Sequence, residues 1–159
     1  MSNTQLYTQV CEFLSLEADL LDHKEYQQWL ALWQKSGLYI VPVEHDVTDF
    51  ANHLNVAYDD DEMRQLRIAR LSNGEAVSTV GAENTVRTLS RIRILEASDE
   101  AVQVRCAYCL YENNKNGVRA FPGNIEFTLI PSGDSFLIAQ KVARVMKSNE
   151  HLTTVSYLF

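Results

Sequence analysis

At 159 residues, 46% hydrophobic and 22% charged, the chain has the size and composition of a single globular domain spanning residues 1–159, large enough to bury about 70% of its unfolded surface. With 21 acidic against 14 basic side chains it carries a net charge of -7, which argues against nucleic acid as a partner, because phosphate neutralisation needs a cationic face. No apolar run approaches the ~20 residues of a membrane-spanning helix, the N-terminus lacks the pattern of a signal peptide, and the three cysteines (Cys11, Cys106, Cys109) are an odd number that suits free thiols, so the cytoplasm is the expected compartment and no membrane partner is expected.

In chain order, Leu6, Val10, Phe13, Leu14, Glu17, Leu20 and Leu21 follow the three-and-four spacing of an amphipathic helix, with Thr4 as its expected cap. After a break at Asp22-His23, a second helix places Tyr26, Trp29, Leu30 and Trp33 on one face and ends at Gly37. Leu38 to Val41 reads as a first strand stopped by Pro42, and residues 43 to 58 as a surface loop. Asp59 to Leu71 is helical again. Its acids lie in the first turn and Arg64, Arg67 and Arg70 in later turns, where they complement the helix dipole and pair with Asp60 and Asp61.

From residue 86 the period becomes two. Val86, Thr88, Ser90, Ile92 and Ile94 fall on one strand face, and Arg87, Leu89, Arg91, Arg93 and Leu95 on the other. Strands follow at Ala101–Tyr111, Val118–Ile130 and Asp134–Met146, with a short one expected at Thr153–Phe159. Turn residues separate them, and Pro122-Gly123 is the expected bulge. Helices followed by long strands on short turns predict an α+β fold, a cone-shaped curved antiparallel sheet wrapped around N-terminal helices.

Catalytic chemistry is hard to place on this chain. Cys106 and Cys109 have CxxC spacing, but strand alternation turns them to opposite faces. The loop residues His45, Asp46, Asp49 and His53 have no helix to fix a metal geometry and read as a solvated acidic loop. There is no nucleophile elbow and no glycine-rich phosphate loop. The remaining catalytic option is acid–base work inside the cone, with Glu17 or Asp19 as base and Tyr26, Tyr39 or Tyr108 polarising a carbonyl. Against it, Asp19 and Asp22 read equally as exposed helix-end carboxylates and the tyrosines as core residues.

Three stretches carry a family resemblance. The first is Leu20-Leu21-Asp22, Tyr26, Trp29-Leu30, Trp33, Tyr39 and Pro42. The second is the Asp-rich start at Asp59, then Leu66-Arg67, Arg70-Leu71 and the arginine-bearing strand Thr85–Ile94. The third is Ala139–Met146 with the apolar end Val155–Phe159. Together they resemble the small (beta) subunit of Rieske-type aromatic-ring-hydroxylating dioxygenases, with departures at Asn84, Ser90-Arg91 and Gln140-Lys141.

That resemblance implies a cone of the nuclear transport factor 2 superfamily and a non-catalytic assembly subunit in aromatic catabolism. It implies no cofactor in this chain. A Rieske iron-sulfur cluster and a mononuclear non-haem iron are expected in a partner large (alpha) subunit, with three small subunits joining three large ones, so this chain would also contact itself as a homotrimer. Arg87, Leu89, Arg91, Arg93, Tyr157 and Phe159 are then the interface candidates. Two other readings stay open: a stand-alone isomerase or dehydratase of the same superfamily using a cone carboxylate such as Asp19 with Tyr26 and Tyr39, or a small-ligand binding protein. What points into the cone discriminates them.

Overall fold

The computed structural model describes residues 2–44, 46–72, 84–114, 116–146 and 158–159. The expected strand at 153–159, all but its last two residues, lies outside them, as do Tyr157, His45 and His151. Helix α1 (Asn3–Asp22) is capped by the Ser2 hydroxyl, which accepts from Gln5 N at 3.1 Å, so Ser2 takes the role expected of Thr4. Val10, Phe13, Leu14, Glu17, Leu20 and Leu21 form its buried face, as their spacing predicts.

Helix α2 is a single short turn of chain, Tyr26–Leu30. Trp33 already belongs to strand β1 (Trp33–Pro42), five residues earlier than the sequence suggests, because it pairs with Ile138 on the last strand. Gly37 therefore ends no helix. It sits in β1 where an added Cβ would lie 2.8 Å from the Ile138 carbonyl oxygen. The stretch expected as loop contains a 3-10 turn (Phe50–Asn52) and strand β2 (Asn55–Asp59), which pairs antiparallel with β1. Helix α3 (Asp61–Ser72) starts on an Asp60 side chain that accepts from Met63 N at 3.0 Å.

Strands β3 (Asn84–Ala97), β4 (Val102–Asn114), β5 (Gly117–Ser132) and β6 (Ser135–Val145) are the expected meander. The sheet order is β2-β1-β6-β5-β4-β3. All neighbours are antiparallel except β1 and β6, which run parallel, so the sheet is mixed rather than purely antiparallel. Its concave face holds α1, which touches both β3 and β6, and the core is aromatic, with Phe13 edge-on to Phe136 at 5.7 Å and Trp29 edge-on to Trp33 at 5.4 Å.

Pro122 and Gly123 do not form the expected bulge, since the β4–β5 register runs unbroken through them. Gly123 is instead a place of close approach. A Cβ there would overlap the Arg144 carbonyl oxygen and lie 2.9 Å from the Val145 Cα, and both are backbone atoms that cannot rotate away. Gly123→Ala is therefore expected to cost about 1–3 kcal/mol as an overpacked site. Urea denaturation should show a lowered midpoint at unchanged slope; an unchanged midpoint would refute the close approach.

Candidate functional site

The centre of the cone is occupied by charge that is paired within the chain. Glu17 faces inward from the middle of α1 because it shares the helical face of Phe13, Leu14 and Leu21. Its Oε2 accepts from the Lys141 ammonium at 2.7 Å and from the Trp29 indole N–H at 2.7 Å. Lys141 comes from β6, is fully buried, and lies 5.8 Å from the Tyr39 ring centroid and 5.6 Å from that of Phe127. Burial pulls the Lys141 pKa below its ordinary 10.5, with the Glu17 carboxylate opposing.

Nearer the mouth, Asp22 closes the C-terminal end of α1 onto β3. Its carboxylate accepts from Arg87 Nη1 at 2.6 Å, Arg87 N at 2.9 Å and Thr85 Oγ1 at 3.1 Å. The other Arg87 terminal nitrogen donates to the Leu158 carbonyl, and Phe159 N donates to the Tyr39 hydroxyl at 2.8 Å. Leu158 and Phe159 are thus buried, with the Phe159 ring edge-on to Phe121 at 5.7 Å. Leu158 and Phe159 are thereby tied to β3 and β1. Desolvation raises the Tyr39 and Tyr108 hydroxyls well above the ordinary phenol value of 10.0. The Tyr108 hydroxyl and the Arg87 Nε are buried without a hydrogen-bond partner among the described residues.

These positions sort the sequence candidates. Asp19 is exposed and pairs with His23 at 3.2 Å on the helix exterior, so it cannot be a cone base. Tyr26 is half-buried at the mouth, while Tyr39 is fully buried and its hydroxyl accepts from Phe159 N. Asp22, expected to be exposed, is the acceptor for Arg87 and Thr85. Arg87, an expected interface residue, is paired within the chain, and Phe159 is buried in it.

The expected common face of Arg87, Leu89, Arg91 and Arg93 does not exist. A bulge intervenes: Ser90 pairs with Ala107 and Arg93 with Arg105, so Arg91 and Ile92 together oppose Cys106. Arg91 takes the left-handed conformation at φ 49, and the extra residue reverses the alternation. Arg87 and Leu89 therefore face inward, as do Ile92 and Ile94, whereas Arg91 and Arg93 are exposed.

On α3 the expected pairing of Arg64 with Asp61 is present, but the burial of Arg64 and the grip of Arg67 on Asp59 were not anticipated. Arg64 is fully buried. Its guanidinium donates to the Gly37 carbonyl at 2.5 Å, stacks 4.3 Å over the Trp33 ring and keeps Asp61 at 3.7 Å. Arg67 grips buried Asp59 through Nε at 2.6 Å and Nη2 at 3.1 Å, a bidentate pair rather than a surface complement to the dipole. Asp59 breaks the apolar alternation of β2, and that break is the only local trace of the pair. Cys106 is buried, with its thiol pushed up to about 11 by desolvation, and Cys109 points to the other face. Among the described residues no three His, Cys, Asp or Glu side chains converge as a metal site. The cone carboxylate of Glu17 accepts from partners already in place.

Similarity to known proteins supplies the context. The family model described as ring hydroxylating beta subunit matches residues 16–149. The small oxygenase component of the p-cumate 2,3-dioxygenase system of Pseudomonas putida is 31% identical over 124 residues, covering 77% of this chain and 69% of that protein. Among solved structures, naphthalene 1,2-dioxygenase with indole bound superposes with a TM-score of 0.81 at 15% identity, covering all of this chain and 88% of that one. The beta subunit of benzoate 1,2-dioxygenase from Burkholderia mallei gives 0.75 at 20% identity, over 94% and 95% of the two chains. The fold is the expected α+β cone, apart from the parallel β1–β6 pair that makes its sheet mixed.

Two outcomes test the interior. Removing one partner of the buried pair (Glu17→Ala or Lys141→Ala) should cost about 3–5 kcal/mol, whereas Glu17→Leu with Lys141→Met should recover most of that loss. Urea denaturation of the cycle measures it, and single variants within about 1 kcal/mol of the parent would show that the pair is not desolvated. Tyr39 and Tyr108, with folded-state pKa values raised above 10.0, bind protons that the unfolded chain releases, so their stabilisation is complete below pH 10 and lost as pH rises beyond it. A phenolate absorbance titration should leave two tyrosines silent until alkaline unfolding; full ionisation of the folded chain near pH 10 would contradict the burial.

Proposed function

The chain belongs to the ring-hydroxylating beta-subunit family, and from that premise we propose that it is the small, non-catalytic subunit of an aromatic-ring-hydroxylating dioxygenase. The match over residues 16–149 carries the reading. The internal pairing of Glu17, Asp22, Arg87 and Lys141 supports it, because the groups a cone-based isomerase or dehydratase would use are already engaged with each other. In this reading the chain contributes to an oxidoreductase of aromatic catabolism without an active site of its own. The Rieske cluster and the mononuclear iron belong to the large subunit. Three copies associate with one another and with three large subunits in the cytoplasm.

Stability is then the chain's contribution to catalysis. A cone held by ion pairs and by the contacts of Leu158 and Phe159 is a stiff platform, and a stiff platform binds partners without losing much conformational freedom. Co-expression with a large subunit bearing Rieske-type Cys and His ligands, followed by affinity purification and native mass spectrometry, tests the proposal. The expected result is co-elution as a hetero-hexamer. A stable monomer that forms no complex would overturn it.

A further inference from the structure

The Arg87 guanidinium is held in one orientation by its own bonds. Nη1 donates to Asp22 at 2.6 Å and to the Thr85 hydroxyl at 3.2 Å, and Nη2 donates to the Leu158 carbonyl. Because the group is planar, fixing both terminal nitrogens also fixes where the Nε–H points. The side chain is only 3% exposed, and no described residue accepts from that buried N–H. Tyr108, on the neighbouring strand, is in the same position. It is 5% exposed, and its buried hydroxyl has no hydrogen-bond partner among the described residues.

The register brings the two orphaned groups together. Arg87 pairs with Leu110 and Leu89 with Tyr108, so Arg87 and Tyr108 are diagonal neighbours on the inward face of β3 and β4. Diagonal neighbours lie about 7–8 Å apart, within reach of two long side chains. The phenol also feels the guanidinium: desolvation raises the Tyr108 pKa, and the Arg87 charge is the first influence to oppose it. The two head groups are close, yet neither bonds to the other. Arg87 cannot turn toward the phenol without releasing Asp22 or Leu158, and the tyrosine ring is rigid. An unpaired buried donor keeps its full desolvation penalty, which native interiors relieve with an ordered water where the chain offers no group.

We propose that a single water molecule is bound between Arg87 Nε and the Tyr108 hydroxyl, accepting from the first and hydrogen-bonded to the second. Charge decides for water over an anion such as chloride. Glu17 and Asp22 already balance Lys141 and Arg87, so an anion would enter as an unpaired buried charge. Water is neutral, and it accepts from the guanidinium while either donating to or accepting from the phenol. Bound there, it extends the network of Asp22, Thr85 and Leu158 from β3 onto β4. This site goes beyond the subunit reading and does not depend on it.

The test uses the full chain, as parent and as Tyr108→Phe, which removes only the phenol oxygen. High-resolution crystal structures are determined with and without bromide in the crystals, and oxygen-17 magnetic relaxation dispersion counts the long-lived internal waters. The parent should show a solvent peak within hydrogen-bond distance of both atoms and no anomalous bromide signal there. Tyr108→Phe should hold one long-lived water fewer. A direct bond between Arg87 Nε and the Tyr108 oxygen in the parent would overturn the site. Bromide at that position would rule out water as the occupant. A Tyr108→Phe chain with an unchanged number of long-lived waters would remove the phenol as a partner and sink the proposal. If Tyr108→Phe does not fold, the electron density of the parent decides alone.

Discussion

Glu17 and Lys141 meet inside the cone although 124 residues separate them in the chain, and their 2.7 Å contact depends on everything between them being placed correctly. Two charges taken from water cost several kcal/mol each after relaxation, a cost offset only when geometry and further hydrogen bonds are both good. Here Trp29 supplies the further bond, and the rings of Tyr39 and Phe127 flank the ammonium. Helix α1, helix α2 and strands β1, β5 and β6 thus converge on one carboxylate and one amine. Any shift of the helix within the sheet would leave a buried charge without its partner. The pair therefore specifies where α1 sits as well as contributing to its attachment.

The same logic closes the mouth. Asp22 accepts three hydrogen bonds from β3, and Arg87 passes the connection on to the Leu158 carbonyl. Phe159 fills apolar space beside Phe121 while its backbone N–H satisfies the Tyr39 hydroxyl. In a fold whose cone could hold a ligand, these residues use the interior for self-association of the chain. At the other end of the sheet, Arg64 and Arg67 tie α3 to β1 and β2 through backbone carbonyls and Asp59. These interior ion pairs serve the cohesion of the chain.

One residue decides what the outer surface of β3 looks like. Strand side chains alternate with a period of two, so a single inserted residue exchanges the faces as far as the next irregularity, which in β3 comes at Leu95. The bulge at Arg91 and Ile92 is such an insertion. Before it, Arg87 enters the cone; after it, Arg93 faces outward beside Arg105. Without the bulge, Ile92 and Ile94 would face outward and Arg93 would face the apolar core. The bulge keeps both the apolar core and the cationic exterior intact along one strand.

Local pattern determined much of this protein. The inward face of α1, the four-strand meander with its turns, the opposite facing of Cys106 and Cys109, and the family resemblance all rest on residues close in sequence, where periods of 3.6 and 2.0 translate directly into faces. Tertiary structure decided the rest. The early start of β1 at Trp33, the parallel pairing with β6, and strand β2 depend on partners about a hundred residues away or on a buried acid that spoils the alternation. The burial of the Arg64 and Arg87 side chains and the Arg67–Asp59 pair were illegible for the same reason: an arginine reads as surface until the carboxylate or carbonyl that satisfies it is brought alongside by the fold. Even the register of β3 needed its neighbour, because a bulge is defined by two residues facing one, and the sequence of a single strand holds only half of that comparison.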